Sequence, residues 1–255
     1  MKFARHALAS GAALSLILAA GPALARDSEE TTQSASEASE HDKLFTLFAE
    51  SDARSLALNP IGRLFRGDDT NADRLGDYFT DSMFLAARTD TQLNLALLAQ
   101  IDRAKLSETD QLAYDVFKYN QESALRGQTD EIRELTEVRP INHFAGFHTF
   151  YPNFASGDSA AQFETIANYE DNLSRHDDYI AITDRAIARS RQGMESGVVE
   201  TRLTIDRVVK QLDTLLAVPL ADSMFMKPVK TFPEDFSAAD KARLTSAYEA
   251  KTKEL

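Results

Sequence analysis

The sequence predicts an all-α fold, a multi-helix scaffold containing a long antiparallel helical hairpin. Three observations carry that expectation. Apolar residues recur at helical steps through most of the chain after Lys43, no strand-like alternation of comparable strength appears, and caps, glycines and prolines fall where helices should begin and end. The clearest case runs from Ser159 to Pro219. Phe163, Ile166, Tyr169, Leu173, Ile180 and Ile187 fall on one helix face, which must then be buried. Ser159 with Gln162 reads as a capping box at its start, and Gly193 and Gly197 bracket the place where the chain can reverse. Val198, Ile205, Val208, Leu212 and Leu215 make the second stripe, and Pro219 ends it because proline lacks the amide donor a continuing helix needs.

The remaining elements follow in chain order. Lys2 and Arg5 precede an apolar run from Ala7 to Leu24 and the small-x-small pattern Ala23-Leu24-Ala25, so residues 1–25 read as a signal peptide cleaved after Ala25. A membrane anchor is the alternative, disfavoured by the alanine-rich run ending at Gly21-Pro22. An exported bacterial protein is expected, periplasmic or extracellular, with no stable membrane anchor after cleavage. Residues 26–42, polar and without apolar periodicity, read as a disordered linker that includes His41. The helical domain is expected over 43–255. It opens with a helix bearing Leu44, Leu47, Phe48 and Leu56, broken before Pro60.

Asn59 to Gly76 reads as a loop. Its Asp69, Asn71 and Asp73 are spaced like calcium ligands, but Arg74 stands where the turn glycine is needed and Thr80 where the bidentate glutamate is needed, so a solvated turn is expected. Leu93, Leu97 and Ile101 mark the next helix. Ser107 caps another carrying Leu112, Val116 and Tyr119, and a short acidic helix passes through Ile132 and Leu135. Arg139 to Phe154 reads as an irregular aromatic connector. Its residues His143, Phe144, Phe147, His148 and Tyr151 either pack against helices or line a cleft. Packing is the commoner use of such a segment. A last helix starts at Ser237 with Asp240 and continues through Leu244, Tyr248 and Lys251.

Composition closes several routes. A chain of 255 residues buries roughly 70% of its unfolded surface and needs neither disulfide nor structural metal to fold. Without cysteine there is no thiol catalysis, cysteine-ligated zinc or iron–sulfur cluster. The formal charge of -12, with no basic stripe, argues against a nucleic-acid partner. His143 and His148 would diverge by about 140° on a helix, and His176 in Arg175-His176-Asp177-Asp178 reads as a polar or semi-buried helix residue. Adjacent acids such as Glu170-Asp171 diverge by about 100° and read as a solvated face. No His-Glu-x-x-His, Gly-x-Ser-x-Gly or phosphate-binding glycine loop occurs, so no catalytic and no metal residue is assigned.

Three stretches together resemble the N-terminal half of the bacterial DUF885 family. They are Leu58-Asn59-Pro60-Ile61 with Leu75-Gly76-Asp77-Tyr78; Ile141 to His148; and Phe163 to Leu216, with Tyr169-Glu170-Asp171-Asn172-Leu173 the most specific. The resemblance covers the chain from about Lys43 onward. It implies a helical fold similar to zinc metallopeptidases of the gluzincin type, with a zinc-binding His-Glu-x-x-Pro-Gly-His-like helix located after the region matched here. Zinc and a peptide substrate therefore belong to the full-length family pattern, and a partner chain supplying that half is the alternative source. The final helix has no capping glycine or proline before Leu255, and a C-terminally truncated chain, inactive alone, is the expectation. A non-catalytic periplasmic binding or interaction module is the other reading.

Overall fold

The computed structural model describes residues 38–255; the expected signal peptide, and the expected linker as far as residue 37, lie outside the described residues. Among those described, the elements are helical and no strand occurs.

The first helix, α1 (Glu40–Leu58), is set by a capping box. The Ser39 hydroxyl accepts the Asp42 N–H at 3.1 Å and the Asp42 carboxylate accepts the Ser39 N–H at 3.2 Å. The domain therefore begins before Lys43, which corrects the expected linker boundary. His41 lies in the first turn of α1, its Nδ1 3.0 Å from Asp110 Oδ2. A polar composition hid this start because the cap rests on side-chain geometry rather than on apolar periodicity.

The loop after α1 contains one helical turn, α2 (Ile61–Leu64), before α3 (Asp81–Leu98), which is capped by Thr80. Ser107 caps α4 (Glu108–Gly127) as expected, and α5 (Asp130–Thr136) is the short acidic helix. Helix α3 packs against both α1 and α4, with Leu44, Leu47, Leu98, Ile101 and Leu106 enclosed in this sub-core. A polar fastening crosses it. Arg54 pairs with Asp90 and donates to Asn94 Oδ1, whose amide in turn donates to Ser51 Oγ at 3.0 Å. The expected inward stripe of α4 points outward instead, leaving Leu112, Val116 and Tyr119 exposed while Tyr114 and Phe117 pack inward. Both faces of this helix carry apolar groups, so periodicity alone could not choose between them.

The aromatic connector is not wholly irregular. Its second half forms α6 (Phe147–Ala155) with Pro152 inside it. Next comes α7 (Ile166–Ser196), whose cap is Thr165, boxed with Asn168, rather than Ser159. Gly197 closes α7 in the left-handed conformation, and α8 (Arg202–Leu216) follows. The packing between these two helices of the expected hairpin is sparse. Helix α8 meets the C-terminal end of α7 and takes its main support from the connector at 138–143 and from His148. The four residues from Val198 to Thr201 separate the two helices. A run of 3-10 helix over Met224–Lys230 then leads to α9 (Ala238–Glu254), which packs along α7 and this run.

Two further sub-cores share α7. One surrounds Leu75, Tyr151, Phe154 and Ile182; the other surrounds Tyr169, Met226, Leu244 and Tyr248. Near its end, α7 passes so close to the connector that a Cβ on Gly193 would lie 2.4 Å from the Val198 carbonyl and 3.0 Å from that of Val138. Gly193→Ala is therefore expected to cost about 2–3 kcal/mol in urea unfolding, through backbone displacement. Gly127→Ala, where a Cβ meets nothing within 4 Å, is expected to be neutral or to stabilise by about 0.5 kcal/mol in the same measurement.

Candidate functional site

Helix α7 buries a polar strip. Asn172, Arg175 and His176 are each no more than 2% exposed, although periodicity puts the face of Phe163, Ile166 and Leu173 inward. Each buried group finds a partner from a different part of the chain. Asn172 Nδ2 donates to Tyr248 Oη at 3.0 Å and to the Ala155 carbonyl at 3.4 Å, and its Oδ1 accepts Arg175 Nη2 at 3.1 Å. Arg175 Nη1 donates to the Ala72 carbonyl, and the guanidinium lies 5.4 Å from the Phe154 ring centroid. Tyr248 Oη donates to the Tyr169 carbonyl at 3.0 Å. The Tyr151 hydroxyl meets His176 Nδ1 at 2.6 Å, while His176 Nε2 is buried without a partner.

The electrostatics match an enclosed cluster. Burial, reinforced by the Arg175 charge, pushes His176 down to about 3, so the imidazole is neutral throughout the physiological range. Burial raises the Tyr151 and Tyr248 hydroxyls as well. A neutral histidine bonded to a tyrosine, both at zero exposure, offers no surface to a substrate. What the cluster does is bind the loop at Ala72, α6, α7 and α9 to one another.

The five connector residues separate in space. Tyr151 is part of the buried cluster, and His148 is buried beside it in sequence but turned toward α8. Gln211 of α8 reaches both histidines. Its amide nitrogen donates to the His143 carbonyl at 3.0 Å, which leaves Oε1 as the acceptor 3.0 Å from His148 Nε2. His148 Nε2 is thus the donor, and its Nδ1 is buried without a partner. Phe147 packs against Tyr78 and Phe79, whereas Phe144 stands 84% exposed at the loop tip with its ring on His143. Below this loop lies an apolar cleft of about 380 Å³, walled by Pro140 and Ile141 on one side and by Met194, Ile205, Val208 and Val209 on the other. Helix α8 continues that apolar surface outward, leaving Ile205, Val209, Leu212 and Leu216 all more than a third exposed.

The zinc that the resemblance implies does not fit the residues present. Among the described residues no three of His, Asp or Glu converge where an ion could sit. His148 is committed to Gln211 and His176 to Tyr151.

Residues 60–255 match the family described as "Bacterial protein of unknown function (DUF885)". The chain belongs to the DUF885 family. No curated protein and no solved structure matches it. The DUF885 match begins at Pro60, so α1 precedes it, while the α7 cluster and the α8 face both lie within it. Sequence reasoning missed Asn172 and Arg175 as organising residues, although both stand in or beside the segment that carries the resemblance. It also missed Arg185 and Arg189, one turn apart on α7, which donate to the Tyr78 and Phe79 carbonyls. A run of polar residues at helical spacing within an otherwise apolar face was the available signal.

His176 gives the DUF885 chain a pH-dependent stability with a definite sign. Its folded value lies below the ordinary 6.5, so only the unfolded chain takes up the proton as pH falls, and stability is lost below about pH 6.5. Between pH 6.5 and 5, above most carboxylate titration, the loss is expected to be about 1.5 kcal/mol in urea unfolding. His176→Phe should flatten the dependence over that window.

Proposed function

We propose that this chain is the N-terminal helical portion of an exported, zinc-dependent peptidase-like protein, and that it is inactive without a zinc-bearing half. The observation that carries the reading is the uncovered apolar surface of α8 and its adjoining cleft. Ile205, Val209, Leu212 and Leu216 lie in helical sequence, Leu216 is 78% exposed, and Met194 and Val199 extend the patch. A contiguous apolar face of this kind is what a docking partner covers. Membership of DUF885 and the resemblance of its stretches support the peptidase-like class, and the Lys2 to Ala25 pattern supports export. In this reading the connector at Pro140 and Ile141, with the exposed Phe144 at its tip, walls one side of a peptide cleft, while the zinc and its general base come from outside the described residues, either in further sequence or in a partner chain.

A non-catalytic periplasmic binding module is the second reading. What favours it is an open groove between α1 and α3, distant in sequence from the α8 face.

The two readings separate in solution. The isolated chain is expected to bind 8-anilinonaphthalene sulfonate in its native state, and Leu212→Asp with Leu216→Asp should reduce that binding without lowering the urea midpoint. It should hydrolyse no peptide in a chelator-sensitive way. Chelator-sensitive hydrolysis by the chain alone would refute the proposal; a monodisperse chain with no dye binding would favour the binding module.

A further inference from the structure

Helix α8 lays its exposed apolar residues in a single row. Ile205, Val209, Leu212 and Leu216 are spaced four, three and four, the repeat by which one helix receives another, and all lie within about 60° of arc on the helix surface. The row runs for roughly 16 Å, about three turns. One side of it is closed. Val208 is buried there, and Ile205, Val208 and Val209 together wall the cleft of about 380 Å³ beside Pro140 and Ile141. That cleft is open to a bulky apolar side chain arriving alongside the first half of the row.

The other side of the row is charged, and where each charge stands decides its effect. Asp206 and Asp213, one heptad apart, lie about 80° from the middle of the row, at the edge where a second helix places its flanking residues. Lys210 lies farther round, at about 130°, and Arg207 is close to the opposite face. Arg202 heads the row, one turn before Asp206. The edge alongside Ile205 to Leu216 is therefore acidic. Both aspartates are exposed. Among the described residues α8 makes no ion pair, whereas α1, α3, α4, α7 and α9 each make at least one. Even Lys210, at helical spacing from both aspartates, is not paired with either. An apolar row with an acidic edge left unpaired is half of a helix–helix interface.

We infer that the partner covering α8 does so with an amphipathic helix: an apolar stripe of about three turns, lysines or arginines along the edge that meets Asp206 and Asp213, and one large apolar residue set into the cleft. This rests on the reading that a docking partner covers α8, and it gives that partner its chemistry. A second copy of the chain fits poorly. Laid antiparallel so that Ile205 meets Leu216 and Val209 meets Leu212, two copies would bring Asp206 of one toward Asp213 of the other. An anionic lipid surface would meet the same acidic edge with like charge.

The test is fluorescence-anisotropy titration of the full chain into three labelled helical peptides, stapled on their outer face, which share a leucine row at four-three-four spacing and differ only in an edge of lysine, glutamine or glutamate. The lysine-edged peptide should bind about tenfold more tightly than the glutamate-edged one, with glutamine between, and the spread should close as salt rises. Asp206→Lys with Asp213→Lys, both at exposed positions, should reverse the order. Leu212→Asp with Leu216→Asp should abolish binding of all three. Equal affinity for the three peptides, no saturable binding of the lysine-edged one, a dimer in sedimentation that Leu216→Asp dissolves, or tight binding to phosphatidylglycerol vesicles would each overturn the inference. Dye binding at α8 is read separately, so a chain that binds dye and ignores edge charge fails here while the docking face itself stands.

Discussion

The fold depends on satisfying the buried polar strip of α7. Taking an amide, a guanidinium and an imidazole out of water is costly unless each finds partners, and here these come from the Ala72 loop, α6 and α9. The strip therefore acts as a specification. A displaced α9 would strand Asn172 without Tyr248, and a displaced Ala72 loop would strand the guanidinium. Arg175 has no carboxylate in direct contact, and relies instead on carbonyl and amide oxygens and on the Phe154 face. Such a cation tolerates few alternative arrangements, which makes the cluster a device for uniqueness as well as for cohesion.

Around that fixed centre the molecule leaves apolar surface uncovered in two kinds of place. The α8 face is a stripe standing on the connector through Gln211 and Val208, with its outer half open. The seam of α1 and α3 is a concavity with a polar mouth. A flat stripe suits a protein surface, which can cover many exposed groups at once, while a groove closed on two sides suits a small ligand. The two differ in what borders them: α8 meets the connector through Val208 and Gln211, whereas α1 and α3 pack together and both line the concavity, with small residues such as Ala57 and Ala86 in its wall.

The sequence by itself determined the helical class and a few helix ends, the starts of α4 and α9 and the close of α7. Ser107, Ser237 and the left-handed Gly197 are local devices, whose geometry needs only a few neighbouring residues, and all stand where their residue types place them. It also carried membership of DUF885, because that rests on residue patterns. What tertiary structure alone decided is which face of each helix is buried and which helices are neighbours. Asn172, Arg175 and His176 lie inside because partners more than a hundred residues away in the case of Ala72, and across α6 and α9, supply their hydrogen bonds. Leu112, Val116 and the outer α8 residues lie outside because nothing described reaches them. Periodicity measures only the difference between two faces of one helix, and burial is set by what other segments bring to each face.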